Sequence, residues 1–147
     1  MGTLNLPTGG QAYVDTPIVI CSVEKHVDYW PLLRPLWSAS KTGEIEIVSS
    51  ELTLLETLVG PMKRSDDVLA ADYEQLLTST EIRLLPITPL ILKRAARLRA
   101  EINLRTPDAI HAATSQAMAC DLFITNDATF RRVTHLPLVL LSDLLTS

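Results

Sequence analysis

Four carboxylates hold most of the chemistry this sequence offers: Asp15, Glu56, Asp108 and Asp127. Asp15 closes the apolar run Ala12-Tyr13-Val14, and Asp127 follows Leu122-Phe123-Ile124-Thr125 by two residues. Asp108 lies in the first turn of a helical pattern, and Glu56 lies within the helical pattern that follows Glu46 to Ser49. Each has an ordinary role available. Asp15 suits a turn, Asp127 suits the cap of a short helix, and Glu56 suits a solvated face. Asp108 is favourable against the positive end of a helix dipole. As a set they point elsewhere, because two carboxylates about 4 Å apart repel by about 4 kcal/mol at an effective dielectric near 20. Acids that converge need a counter-charge, and all-oxygen donors suit a hard divalent cation such as Mg²⁺ or Mn²⁺. No Ser/His/Asp constellation competes with that reading. The histidines, His26, His111 and His135, have no zinc-type spacing.

The elements that must position these acids follow from periodicity and caps. Short apolar runs at 12–14, 46–49, 82–86, 122–125 and 138–141 read as strands. Between them lie helical patterns. Thr16-Pro17, Thr88-Pro89 and Thr106-Pro107 each offer an N-cap followed by Pro at the first helical position. Further helices are expected over 31–41 and 65–78, with one that Ser50 caps and Gly60-Pro61 ends, and a short one over 129–132. Residues 1–10, with Thr, Pro and a Gly-Gly pair, read as a flexible N-terminal tail, and 11–147 as a single domain. Nearly all-apolar strands alternating with helices imply an α/β fold whose mainly parallel, five-stranded sheet is covered by helices on both faces. Ligands of such sheets sit outside the carboxyl ends of the strands, where three of the four acids are expected.

Composition narrows the alternatives. The chain has 147 residues, 47% of them hydrophobic and 20% charged, enough for one real core. The net charge of −4 excludes a global basic field, so a polyanion would have to be met locally or through a metal. Two cysteines, Cys21 and Cys120, make no disulfide framework and read as reduced thiols of a cytoplasmic protein. No apolar run approaches a membrane span, and the first residues lack the pattern of a signal peptide.

Taken in order, Tyr13-Val14-Asp15-Thr16, Ser50 to Glu56, Thr106-Pro107-Asp108-Ala109-Ile110-His111-Ala112-Ala113 and Phe123-Ile124-Thr125-Asn126-Asp127-Ala128-Thr129-Phe130 resemble the PIN domain, the fold of VapC-type ribonuclease toxins. The last two segments are the specific ones, and the resemblance runs from about residue 12 to 141. It implies a PIN-like three-layer sandwich and an acidic quartet of Asp15, Glu56, Asp108 and Asp127, with Thr106 and Asn126 as supporting polar groups. It also implies a Mg²⁺-dependent endoribonuclease (Mn²⁺ as a substitute), an RNA substrate, a cognate antitoxin protein as partner, and a homodimer. The alternatives within the same fold are a non-catalytic RNA- or protein-binding module and a housekeeping RNA-processing nuclease. Pro17 departs from the family, where many relatives carry Asn or Ser. Glu51 competes for the second acid, but on a helix it points about 140° from Glu56, and Glu56 matches the family segment. A receiver domain would need an acid pair after the first strand and a Lys after the last. A haloacid-dehalogenase-type phosphatase would need Asp-x-Asp. Neither pattern is present.

Three further groups have a bland and a functional reading. His111 shares a helix face with Asp108 and reads first as a packing residue, second as a phosphate contact. Lys93, Arg94, Arg97 and Arg105 form a basic surface, either simply solvated or guiding RNA. Trp30, Leu33 and Trp37, at i, i+3 and i+7, form a core stripe or a groove for an apolar antitoxin segment.

Overall fold

The computed structural model describes residues 2–145, so position 1 of the expected tail and positions 146–147 of the expected domain lie outside the described residues. The element order is β1 (Gln11–Val14), α1 (Thr16–Val23), α2 (Trp30–Lys41), β2 (Glu46–Ser50), α3 (Leu52–Lys63), α4 (Asp67–Leu77), β3 (Arg83–Leu85), α5 (Pro89–Ile102), α6 (Thr106–Ala117), β4 (Leu122–Thr125), a 3₁₀ helix (Ala128–Arg132), β5 (Leu138–Leu140) and α7 (Leu141–Leu145). The five strands form one sheet in the order β3-β2-β1-β4-β5. Every pairing is parallel, and Tyr13 of β1 is in register with Val48 on one side and Phe123 on the other. The expected parallel sheet with helices on both faces is therefore present.

Alternation along the strands divides the core in two. Ala12, Val14, Ile47 and Ile124 face one way, into a cluster with Ile18, Leu33, Leu36, Trp37 and Tyr73 from α1, α2 and α4. Tyr13, Val48, Leu85 and Phe123 face the other way, into a cluster with Ile91, Ala95, Ala109, Ala112 and Ala113 from α5 and α6. The small residues of α6 let that helix lie close on the sheet. Leu33 and Trp37 are core, as the bland reading of the Trp30 stripe has it, and the Trp37 indole N–H donates to Ser22 Oγ at 2.9 Å. Residues 2–10 are laid on the domain: Leu4 and Leu6 pack against the first cluster, the Gly2 amide donates to the Leu144 carbonyl, and that of Gly9 to Glu44.

Several element ends differ from the sequence expectation, each for a local reason. The cap of α1 is Asp15, not Thr16. Its carboxylate accepts from the Ile18 amide, which moves Thr16 and Pro17 into the first turn. At α6 the capping position belongs to Arg105, with Thr106 already helical and no side chain closing the turn. Thr88 does cap α5, accepting from Ile91 N at 3.3 Å. Helix α3 runs through Gly60-Pro61 to Lys63, because amides beyond the proline, Arg64 and Asp66, take up the Gly60 and Pro61 carbonyls. Leu141, expected in the last strand, instead begins α7.

The turn between α5 and α6 sets where the acidic helix starts. Asn103 adopts the left-handed conformation (φ 58°) that ends α5, a conformation Asn tolerates better than most residues. Leu104 then plunges into the second cluster, and its carbonyl accepts from Arg99 Nε at 3.1 Å. Because Leu104 is the anchor of this turn, Leu104→Ala should destabilise the fold by about 2–4 kcal/mol. Urea unfolding should show a lower midpoint with an unchanged slope.

Candidate active site

Asp15 sits where β1 passes into α1. One carboxylate oxygen accepts from the Ile18 amide at 3.4 Å, and the other accepts from the Thr125 hydroxyl at the end of β4. The same Thr125 oxygen accepts from the Asp127 amide at 3.0 Å, so one hydroxyl ties together the ends of the two central strands. Asp15 is only 3% exposed. Burial pushes its carboxyl up to about 6, against the hydrogen bonds from Thr125 and Ile18 and the positive charge of a protonated His111, and the negative charge of Asp108 adds to the rise.

Asp108, buried in the first turn of α6, accepts from Arg105 Nε at 3.3 Å. Asp127 caps the 3₁₀ helix by accepting from the Thr129 amide at 2.9 Å, and its other oxygen lies 3.9 Å from Arg105 Nη2. Partial burial alone would raise the Asp127 carboxyl. The bonds from Thr129 and the charges of Arg105 and Arg132 outweigh that and hold it below the usual aspartate value. One guanidinium thus spans two of the four acids.

Glu56 reaches the same region from α3 along a different route. Thr16 donates its hydroxyl to Glu56 Oε1 at 2.7 Å, and His111 Nε2 lies 3.1 Å from the same oxygen. On its far side, His111 Nδ1 is 2.6 Å from the Tyr13 hydroxyl. Burial raises the Tyr13 phenol well above its ordinary value, so it remains a donor, and a carboxylate accepts. In the neutral ring, the tautomer that satisfies both ends carries its proton on Nε2, with Nδ1 accepting from Tyr13. Burial opposes ionisation of Glu56, but the hydrogen bonds from His111 and Thr16, with the positive charges of a protonated His111 and of Arg105, hold its carboxyl below the usual value. Behind this chain, Thr16, Thr53 and Ser49 form a buried hydroxyl seam that ends on the Val14 carbonyl.

The structure therefore brings Asp15, Asp108 and Asp127 to neighbouring element ends and links Glu56 to them through Thr16 on α1 and His111 on α6. Thr106 is exposed on the first turn of α6. Asn126 spends its side-chain oxygen on the Ser142 amide at 3.1 Å, steadying α7 rather than an acid. Of the groups with two readings, His111 joins this network through Glu56 and Tyr13. Arg105 leaves the basic surface and folds onto Asp108 and Asp127. From sequence alone Thr16 has only a capping role, and Thr125 and Tyr13 have none; the available signal is Thr125 ending the run 122–125, Thr16 directly after Asp15, and a His three residues after Asp108.

Among the described residues no three His, Cys, Asp or Glu side chains converge tightly enough to enclose an ion as they stand. The chemistry of the donor set still suits a hard divalent cation. All four groups are carboxylates, Asp15 is raised by burial and by its acidic neighbour, and one guanidinium already pairs with two of the acids. An ion that keeps part of its water shell, as Mg²⁺ does, requires few direct ligands.

The PIN domain family matches residues 12–136. No curated protein sequence matches the chain. Among solved structures the fold is similar to that of VapBC2 from Rickettsia felis bound to a DNA fragment from their promoter. That likeness has a TM-score of 0.70 at 19% identity and covers 88% of this chain and 97% of the other. A toxin–antitoxin complex from Klebsiella pneumoniae gives 0.67 at 24%, covering 88% and 97%. VapC20 from Mycobacterium tuberculosis, a sarcin–ricin loop cleaving toxin, gives 0.69 at 17%, covering 84% and 95%. At these identities the likeness is one of fold.

The raised carboxyl of Asp15 has a consequence for stability. A group whose folded value lies above its unfolded one stabilises the fold fully below the unfolded value, near pH 4, and that contribution is lost as pH rises through about 6. Asn preserves the N-cap and removes the charge. In chelator at pH 7.5, Asp15→Asn should therefore be more stable than the unaltered protein by roughly 1–3 kcal/mol. The gap should close as the pH is lowered toward 4, which thermal melts across that range would show.

Proposed function

From the premise that this chain belongs to the PIN domain family, we propose that it is a Mg²⁺- or Mn²⁺-dependent endoribonuclease and the toxin of a type II toxin–antitoxin pair. The observation that supports this reading best is the meeting of Asp15, Asp108 and Asp127 where β1, α6 and β4 present their ends, with positive charge already drawn to two of them. The solved relatives include toxin–antitoxin complexes, so an antitoxin protein is the expected partner. A homodimer working in the cytoplasm is the expected form.

In this reading Asp15 and Asp108 would be the principal ligands. Glu56 and Asp127 would ligate directly, hold waters of the ion or complete a second site. When bound, the divalent ion supplies a water of lowered pKa and neutralises charge on the phosphoryl oxygens. The residues of the chain do the rest. Thr125 fixes the rotamer of Asp15 and the start of the Asp127 turn with one hydroxyl. His111 and Thr16 aim Glu56 and keep it ionised, so it can accept a proton from a water in the pocket. No nucleophilic side chain is required, because hydrolysis uses water.

The test is cleavage of RNA by the full chain with Mg²⁺ or Mn²⁺. Asp15→Asn and Asp108→Asn should each reduce the rate by at least about 100-fold while circular dichroism remains native. Excess chelator should abolish turnover. Cleavage that survives in both variants or in chelator would overturn the mechanism. RNA binding without cleavage under any divalent ion would point to the non-catalytic binding module instead.

A further inference from the structure

Arg105 stands in an unusual position for an exposed arginine. Its side chain is 78% exposed, yet it turns back onto the acidic pocket, with Nε 3.3 Å from Asp108 Oδ2 and Nη2 3.9 Å from Asp127 Oδ2. Among the described residues it is the one Lys or Arg that forms an ion pair with any of the four acids. Arg105 is held there from behind: it directly follows Leu104, which is anchored in the core, and its backbone provides the cap of α6. The root is fixed, whereas the guanidinium lies at the mouth of the pocket in contact with solvent.

We infer that Arg105 is an internal counter-cation of the pocket, which neutralises Asp108 and Asp127 while no divalent ion is held and is displaced from them when one enters. The inference rests on the proposed metal-dependent reading. Three physical points carry it. A guanidinium and a divalent ion seek the same carboxylate oxygens, so the two compete for Asp108 and Asp127. Exposed ion pairs of this kind are weak, so the arginine yields to a divalent ion. Without it, among the described residues, Asp108 would lose its ion-pair partner beside the negative charge of Asp15, and Asp127 would keep only the charge of Arg132, which makes no ion pair with it. Once displaced, the guanidinium stays tethered beside the pocket by Leu104 and the cap of α6. Arg105 is thus a positioning residue rather than a catalytic one.

The proposal separates from a purely structural role by the sign of its effect on metal binding. Calorimetric titration of the metal-free full chain with MnCl₂ should show tighter binding to Arg105→Gln than to the unaltered protein, by about three- to tenfold. Arg105→Lys should stay near the unaltered value. In the unaltered protein, MgCl₂ should move the NMR resonance of the Arg105 Nε–H, and NaCl of equal ionic strength should leave it in place. Equal or weaker Mn²⁺ binding in a folded Arg105→Gln, or a resonance that ignores Mg²⁺, would overturn the inference and leave the metal-dependent reading standing. If neither protein takes up Mn²⁺, that reading fails and this inference fails with it.

Discussion

A buried carboxylate at the end of the central strand is the constraint around which the rest of this molecule is arranged. Asp15 cannot leave the interior, because Val14 before it and Ile18 after it are both fully buried. Its charge is therefore paid for in local contacts: a backbone amide from α1, a hydroxyl from β4, and the cap of a helix whose dipole favours an anion. Those contacts do not restore what water would provide, and the carboxyl remains well above its ordinary value. The fold keeps a charged acid at a place where a neutral side chain of the same shape would be more stable at neutral pH. Such a residue persists when it has work to do.

The sheet order explains why the other acids arrive at the same place. Strands β1, β2 and β3 are laid down successively in one direction, and the chain then crosses back through α5 and α6 to place β4 on the other side of β1. The reversal leaves a crevice between the carboxyl ends of β1 and β4, the switch point of an open parallel sheet. Asp15 follows β1, Asp127 follows β4, and Asp108 sits at the start of the helix that makes the crossing. Glu56 comes from α3, beyond β2, and lies further from the reversal. It requires a relay through Thr16 and His111 to be held. That relay ends on Tyr13, stacked on Phe123 with ring centroids 5.1 Å apart. The orientation of a pocket acid is thereby tied to the packing of the sheet.

Much of this could be read from the residues alone, and the exceptions share a cause. Period, apolar runs and Thr-Pro starts located the strands and most helices, because those signals are local. Asp15, Asp108 and Asp127 could be named because strand ends and helix starts are also local, whereas Glu56, inside α3, is preferred to Glu51 only through the family resemblance. The partners of those acids could not. Whether Thr125 bonds to Asp15, or Arg105 folds inward rather than joining Lys93, Arg94 and Arg97, depends on contacts between segments far apart in the chain. The cap of α1 shows the same limit at short range. Thr16 and Asp15 are both competent caps, and the choice falls to Asp15 because the strand must end and the carboxylate must find a donor. Asn126, adjacent to Asp127, is drawn away to Ser142 by a helix that the apolar run at 138–141 concealed.

The acids do not share one electrostatic state, and the difference suggests a division of roles. Glu56 and Asp127, each given hydrogen-bond donors and a nearby cation, are held below their ordinary values and stay ionised through the neutral range without further help. Asp15, with more burial and a negative neighbour, is pushed up to about 6, so part of its population is neutral just below physiological pH. Groups in one pocket whose environments drive them apart commonly perform different tasks. Under the proposed function, Asp15 is the acid whose charge most needs a cation, whereas Glu56 and Asp127 are ready to orient water whether or not one is present. The energetic dependence of the pocket on a cation is then concentrated at the residue that the sheet itself holds in place.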